Sequence, residues 1–159
     1  MSLKFVRTHL DAVRDKMRNW NYYNQAHQLY AYSLPVTWDY VQKRPYKGDT
    51  IKASRRMYLH LYYCPERALD DEKAFNQRMA AWQEELETGQ RHPDNEKYYT
   101  KYFEIKSTPV RGTRVVAKED AIADTKRNYG YFVFLSNEVK DAIKALEIYR
   151  NKDLGMKIK

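Results

Sequence analysis

From Leu29 to Val41 the side chains change character at every step. Tyr30, Tyr32, Leu34, Val36, Trp38 and Tyr40 are large and apolar or aromatic, while Ala31, Ser33, Pro35, Thr37 and Asp39 between them are small or polar. A period of two sends the two sets to opposite sides of an extended chain, so the segment is expected to be a β-strand with one aromatic face. Met57-Tyr58-Leu59-His60-Leu61-Tyr62-Tyr63 carries the same bias and reads as a second strand. Pro35 cannot donate to a ladder, which restricts the first strand to a sheet edge or puts a bulge at that point. Residues 42–56, with Pro45 and Gly48, read as a long loop or as an extended hairpin tip.

On either side the period is helical. Leu3, Val6, Leu10, Val13, Met17 and Trp20 recur at steps of three and four and predict an amphipathic helix over about residues 3–20. Pro65 suits a helix start, Phe75, Met79, Trp82 and Leu86 form its apolar stripe, and Gly89 is placed to end it. Glu66, Asp70, Asp71 and Glu72 sit near its N-terminal end, where the helix dipole favours acids. Residues 90–97 read as an exposed connection, 101–106 and 111–116 as short strands, and 118–127 as a short helix. Residues 129–135 are nearly all apolar, the pattern of a strand covered on both faces. A last helix carries Val139, Ile143 and Leu146, with Asp141 as its N-cap. The expected class is therefore α+β: aromatic-rich antiparallel strands, 29–41 against 57–63, with several packed helices and one buried strand, all within one domain of 159 residues.

Lys and Arg number 29 against 21 Asp and Glu, a net charge of +8 that favours anionic partners such as DNA. Most of this excess gathers locally. Lys43, Arg44, Lys47, Lys52, Arg55 and Arg56 fall within fourteen residues whose single acid is Asp49, with Tyr40, Tyr46 and Tyr58 interleaved. Such a loop can neutralise phosphates while rings pack on sugars or bases, or it can be a solvated loop that is basic by chance. Arg111 and Arg114, with Lys118, form a smaller cluster. The fifteen tyrosines allow two readings, as half-buried strand formers or as a surface that meets a partner.

Other chemistry has little support. His9, His27, His60 and His92 are far apart and none has metal-ligand spacing, so they read as ordinary polar residues. No Gly-x-x-x-x-Gly-Lys loop is present, and nothing predicts a small-molecule substrate, cofactor or metal. No apolar run reaches the length of a membrane span. Met1-Ser2-Leu3-Lys4 does not open an export signal, and Cys64 is the only cysteine, so the expected compartment is the cytoplasm.

Tyr129-Gly130-Tyr131-Phe132-Val133-Phe134-Leu135-Ser136-Asn137, followed by Ala145-Leu146-Glu147-Ile148-Tyr149-Arg150-Asn151-Lys152-Asp153-Leu154, resembles the C-terminal part of insertion-sequence transposases of the Asp-Asp-Glu type. The group it resembles carries a Tyr-x-x-Arg-x-x-x-Glu signature. Arg44-Pro45-Tyr46-Lys47-Gly48-Asp49-Thr50 and residues 55–63 are similar to earlier parts of the same group. The resemblance implies a β-rich insertion over residues 1–128, then the last strand and helix of a ribonuclease-H-like core over 129–159. Tyr149 matches the signature tyrosine, Lys152 replaces the arginine, and Met156 stands where the catalytic glutamate belongs. The two catalytic aspartates would precede residue 1. The family uses Mg²⁺ or Mn²⁺, and a methionine thioether is a poor ligand for hard ions of that kind.

The implied protein is a truncated transposase that binds DNA weakly and without sequence preference but neither cuts nor joins it. A core cut from its neighbours leaves open strand edges, which predicts a homodimer. The alternative from another class is a stand-alone structural or regulatory protein that self-associates and does not touch nucleic acid.

Overall fold

The alternating segment forms one arm of a long hairpin. The computed structural model describes residues 2–43 and 50–158, with side chains within 2–39 and 53–152. In chain order the elements are α1 (Leu3–Met17), β1 (Tyr23–Asn24), β2 (Leu29–Lys43), β3 (Thr50–Tyr63), α2 (Pro65–Thr88), α3 (Glu96–Tyr102), β4 (Phe103–Thr108), β5 (Gly112–Ala117), α4 (Glu119–Arg127), β6 (Tyr131–Ser136) and α5 (Ala142–Ile158). The class is α+β, with five helices and antiparallel sheets among the described residues.

Two compact units result, one made of Met1–Cys64 with Tyr131–Lys159, the other of Pro65–Gly130. This nested division differs from the linear one expected after residue 128. The reason is a long-range pairing: β6 returns to lie beside β3, from Tyr58↔Ser136 to Tyr63↔Tyr131. Its strand therefore belongs with the first 64 residues rather than beginning a separate piece.

The first unit is a sheet of order β1-β2-β3-β6 with a helix on each face. β2 and β3 pair without a slip from Tyr30↔Tyr63 to Lys43↔Thr50. Strand therefore runs to Lys43 and from Thr50, which replaces the long-loop reading of residues 42–56 with a hairpin whose tip lies outside the described residues. Pro35 causes no bulge. It is tolerated because β1 pairs only with Leu29 and Tyr30, leaving the rest of β2 as an edge.

Alternation then sorts the side chains. Val36, Leu59, Leu61, Val133 and Leu135 meet Leu10 and Met17 of α1, whereas Leu29, Ala31, Tyr62, Phe132 and Phe134 meet Ala142 and Leu146 of α5. β6 thus contributes to both cores, as its apolar run implied. All six of its residues remain half-exposed, because it is an edge strand rather than a central one.

α1 begins where Ser2 caps it, the Phe5 amide donating to Ser2 Oγ at 3.2 Å. It stops at Met17, short of the expected residue 20, since Asn19 takes extended backbone (φ -75°, ψ 149°). Trp20 consequently leaves the apolar stripe, is 76% exposed, and stacks on Tyr23 at 5.1 Å. At the other end of the chain Asp141 caps α5 as its sequence suggested, Oδ1 accepting from the amides of Ile143 (2.8 Å) and Lys144 (3.0 Å). Asp141→Ala is expected to cost about 0.5–2 kcal/mol and Asp141→Asn markedly less. Urea unfolding midpoints of the three proteins check this, and equal losses from Ala and Asn would remove the cap from the account.

The second unit is built on α2. Pro65 opens it, and Gly89, at φ +72°, takes the left-handed turn that ends it. Phe75, Trp82 and Leu86 of α2 pack against Tyr99, Tyr102 and Phe103. α3 is the one helix that the tyrosine-rich run concealed. Its ring residues Tyr99 and Tyr102, three apart, share a buried side, and their hydroxyls bond Glu85 and Thr125 respectively. The Tyr99 hydroxyl is also the first reason that the Glu85 carboxyl titrates below its usual range. β4 and β5 form a hairpin in register from Phe103↔Ala117 to Thr108↔Gly112.

Candidate nucleic-acid interface

The basic residues singled out by the sequence fall in different places. Arg55 and Arg56 are exposed on β3, opposite Trp38 and Thr37. Lys43 and Lys52 belong to β2 and β3, but their side chains lie outside the described residues, as do Arg44 and Lys47 altogether. Arg111 and Arg114 belong to the second unit: Arg111 is in the β4–β5 turn, its amide donating to Thr108 Oγ at 3.0 Å, and Arg114 sits opposite Lys106. Like charges directly across a ladder repel, so that pair is tolerated in the open rather than favoured.

Neighbours on a strand point to opposite faces, so Arg55 and Arg56 cannot share one flat surface. Arg55 is on the α1 side with Trp38, whose ring meets Phe5 edge-on at 5.7 Å. Arg56 is on the α5 side. Both stand where the hairpin begins to leave the core, Trp38 being the last ring among the described residues that meets α1. Met57 is the outermost β3 residue packed against α1, and pairing continues for roughly 20 Å beyond it at the usual strand rise.

Charge divides as sharply as the fold does. The first unit holds 17 Lys and Arg against 8 Asp and Glu, the second 12 against 13. The whole positive excess of the chain therefore belongs to the unit that contains the aromatic hairpin.

Many tyrosines of that unit are already engaged within it. The Arg14 guanidinium lies 4.8 Å from the Tyr131 ring, Lys16 Nζ 5.5 Å from Tyr32 and Arg18 4.3 Å from Tyr63, so the basic side of α1 rests on the sheet's rings. A hydrogen bond with the Tyr32 hydroxyl raises the Lys16 ammonium above its ordinary range. These rings hold the helix to the sheet, which is the strand-former reading with a cation–π addition.

Tyr149, Lys152 and Met156 lie on α5. Tyr149 is 49% exposed and its ring contacts Phe134 at 4.4 Å, while Lys152 is exposed. Met156 is helical, its side chain outside the described residues. Glu147, the carboxylate on the preceding turns, is tied to His27 Nε2 at 3.3 Å, and Arg150 Nη1 reaches His27 Nδ1 at 2.9 Å. These contacts fasten the turn before β2 to α5. Among the described residues no three His, Cys, Asp or Glu side chains are placed to hold a metal ion. No described helix is long and apolar enough to cross a membrane.

One polar arrangement has no counterpart in the sequence reading. His60, taken there for an ordinary polar residue, is fully buried with Nδ1 2.6 Å from Ser33 Oγ. Only the β2–β3 register brings these two residues together, so spacing along the chain carries no sign of the pair.

The chain was compared with models of known families, with curated proteins and with solved structures, and nothing matches in any of the three.

Proposed function

We propose that the chain is a remnant of an insertion-sequence transposase of the Asp-Asp-Glu type that keeps a DNA-contacting surface and has lost strand transfer. The observation that carries the DNA reading is the charge division: all of the net +8 resides in the hairpin-bearing unit. A cationic arm reaching beyond the core meets phosphates without reading base edges, so binding is weak, indifferent to sequence and sensitive to salt. The transposase reading rests on the likeness of residues 129–154 to the family's C-terminal part, with Met156 at the glutamate position.

Two-metal phosphoryl transfer needs carboxylates that hold two ions about 4 Å apart. Restoring one carboxylate does not rebuild that clamp. Wild type and Met156→Glu are therefore both expected to leave supercoiled plasmid intact with Mg²⁺ or Mn²⁺, while a fluorescent duplex is bound. Metal-dependent nicking by wild type that survives removal of contaminating nucleases would overturn the inactive assignment. Failure to bind any duplex at low salt would overturn the DNA reading and leave the self-associating structural protein in its place.

A further inference from the structure

Ser33 of β2 and His60 of β3 are direct cross-strand partners on the face that carries α5. Ser33 is half-buried and lines an open cleft of about 580 Å³ between residues 21–24 and the start of α5 at 140–143. Behind it the imidazole is wholly enclosed. Burial holds its pKa below the ordinary histidine range, against the opposing pull of the Val139 backbone and the Asp141 charge, so the ring is neutral at pH 7. Nε2 makes no hydrogen bond of normal geometry. In the tautomer protonated on Nε2, the Nδ1 lone pair faces the Ser33 hydroxyl. A hydroxyl 2.6 Å from a buried neutral imidazole, on a residue that lines a cleft, is the pairing that activates a serine when it donates to the ring.

We infer that Ser33 is a nucleophile, activated by His60, that accepts the acyl group of a small ester entering this cleft. Oγ attacks the ester carbonyl carbon while its proton passes to His60 Nδ1. The adduct collapses, the bond to the leaving alcohol breaks, and the departing oxygen takes the proton back from Nδ1. The products are acyl-Ser33, free alcohol and neutral His60, with no oxidant or cofactor needed. Asp141 is held as the α5 cap by two backbone amides, so this is a serine–histidine pair and not a triad. An acyl-serine is an ordinary alkyl ester and reacts far more slowly than an activated one, so the protein takes one acyl group from an activated ester and keeps it. This inference is independent of the DNA reading.

The test uses the full chain with p-nitrophenyl acetate and, separately, a fluorophosphonate probe, followed by intact mass and peptide mapping. One acyl or phosphonyl group per chain is expected, mapped to Ser33 and absent from Ser33→Ala. His60→Asn keeps an acceptor near the Nδ1 position but no base, and should label about a hundredfold more slowly. Circular dichroism establishes that this variant folds. Should it not, the labelling rate of wild type between about pH 5 and 9 decides: it should rise through a single ionisation below the ordinary histidine range. The titrating and charged groups at the site are His60 itself, Lys140 and Asp141 before α5, and Tyr22, Tyr23 and Tyr32 of the cleft wall. Label confined to lysines or tyrosines overturns the inference. So does an unchanged rate in folded His60→Asn, or a rate that simply follows hydroxide with no inflection.

Discussion

Tyr62→Ala should remove a large share of the stability of the sheet-bearing unit. Tyr62 is fully buried at the centre of the α5-side core, stacked on Phe132 at 4.8 Å and near Phe134 at 5.2 Å. Its hydroxyl donates to the Ala142 carbonyl at 2.6 Å, which joins β3 to the first turn of α5. Burial, with the nearby Asp141 charge, pushes the phenol far above its ordinary titration range, so it remains a donor at any usable pH. Removing a buried ring of that size costs about 3–5 kcal/mol through lost transfer energy and the cavity left behind. Domains of this size are stable by only about 5–15 kcal/mol, so the loss is a large fraction of the margin. Tyr62→Phe keeps the ring and abandons one buried carbonyl, at about 1–3 kcal/mol. Urea titrations followed by far-ultraviolet circular dichroism and tryptophan fluorescence should place the three midpoints in the order wild type, Phe, Ala. A Tyr62→Ala midpoint indistinguishable from that of Tyr62→Phe would mean that the ring is not packed as described.

The ease with which each part can be read from sequence follows from the range of the interactions that make it. Pro65, Gly89 and Asp141 act within a turn of their own position, and the elements they bound are where those residues place them. Residues 29–41 announce a strand because one aromatic face repeats every second residue. The continuation into β3 from Thr50 is hidden because Lys52, Arg55 and Arg56 interrupt the alternation, and cross-strand pairing rather than side-chain pattern keeps them extended. α3 is concealed for the opposite reason. Tyr98, Tyr99 and Tyr102 favour strands intrinsically, and packing against Phe75 and Trp82 overrides that preference. The nested division and the Ser33–His60 pair depend on contacts between distant segments, which no local pattern encodes. The basic cluster at 43–56 is legible as charge. Its division between two strand faces becomes visible only with the register.

That division shapes what DNA binding should look like. If about four phosphates are neutralised, log affinity for a duplex should fall against log salt with a slope near -3.6, roughly a 150-fold loss between 50 and 200 mM salt. Were Arg55 and Arg56 on one surface, replacing both with Ala would lower the slope by about two contacts' worth. They point to opposite faces of the β2–β3 arm, so a duplex lying on either face meets one of them. The single variants Arg55→Ala and Arg56→Ala should therefore differ, one reducing the slope by about 0.9 and the other leaving it unchanged. The double variant should match the more damaging single one. Arg114→Ala, on the hairpin of the second and slightly acidic unit, should not alter the slope. Fluorescence anisotropy of a labelled duplex at four or five salt concentrations measures all of these. Equal effects of the two single variants, adding in the double, would mean that DNA embraces the arm instead of lying on one side. A slope that no variant changes would remove this hairpin from the interface.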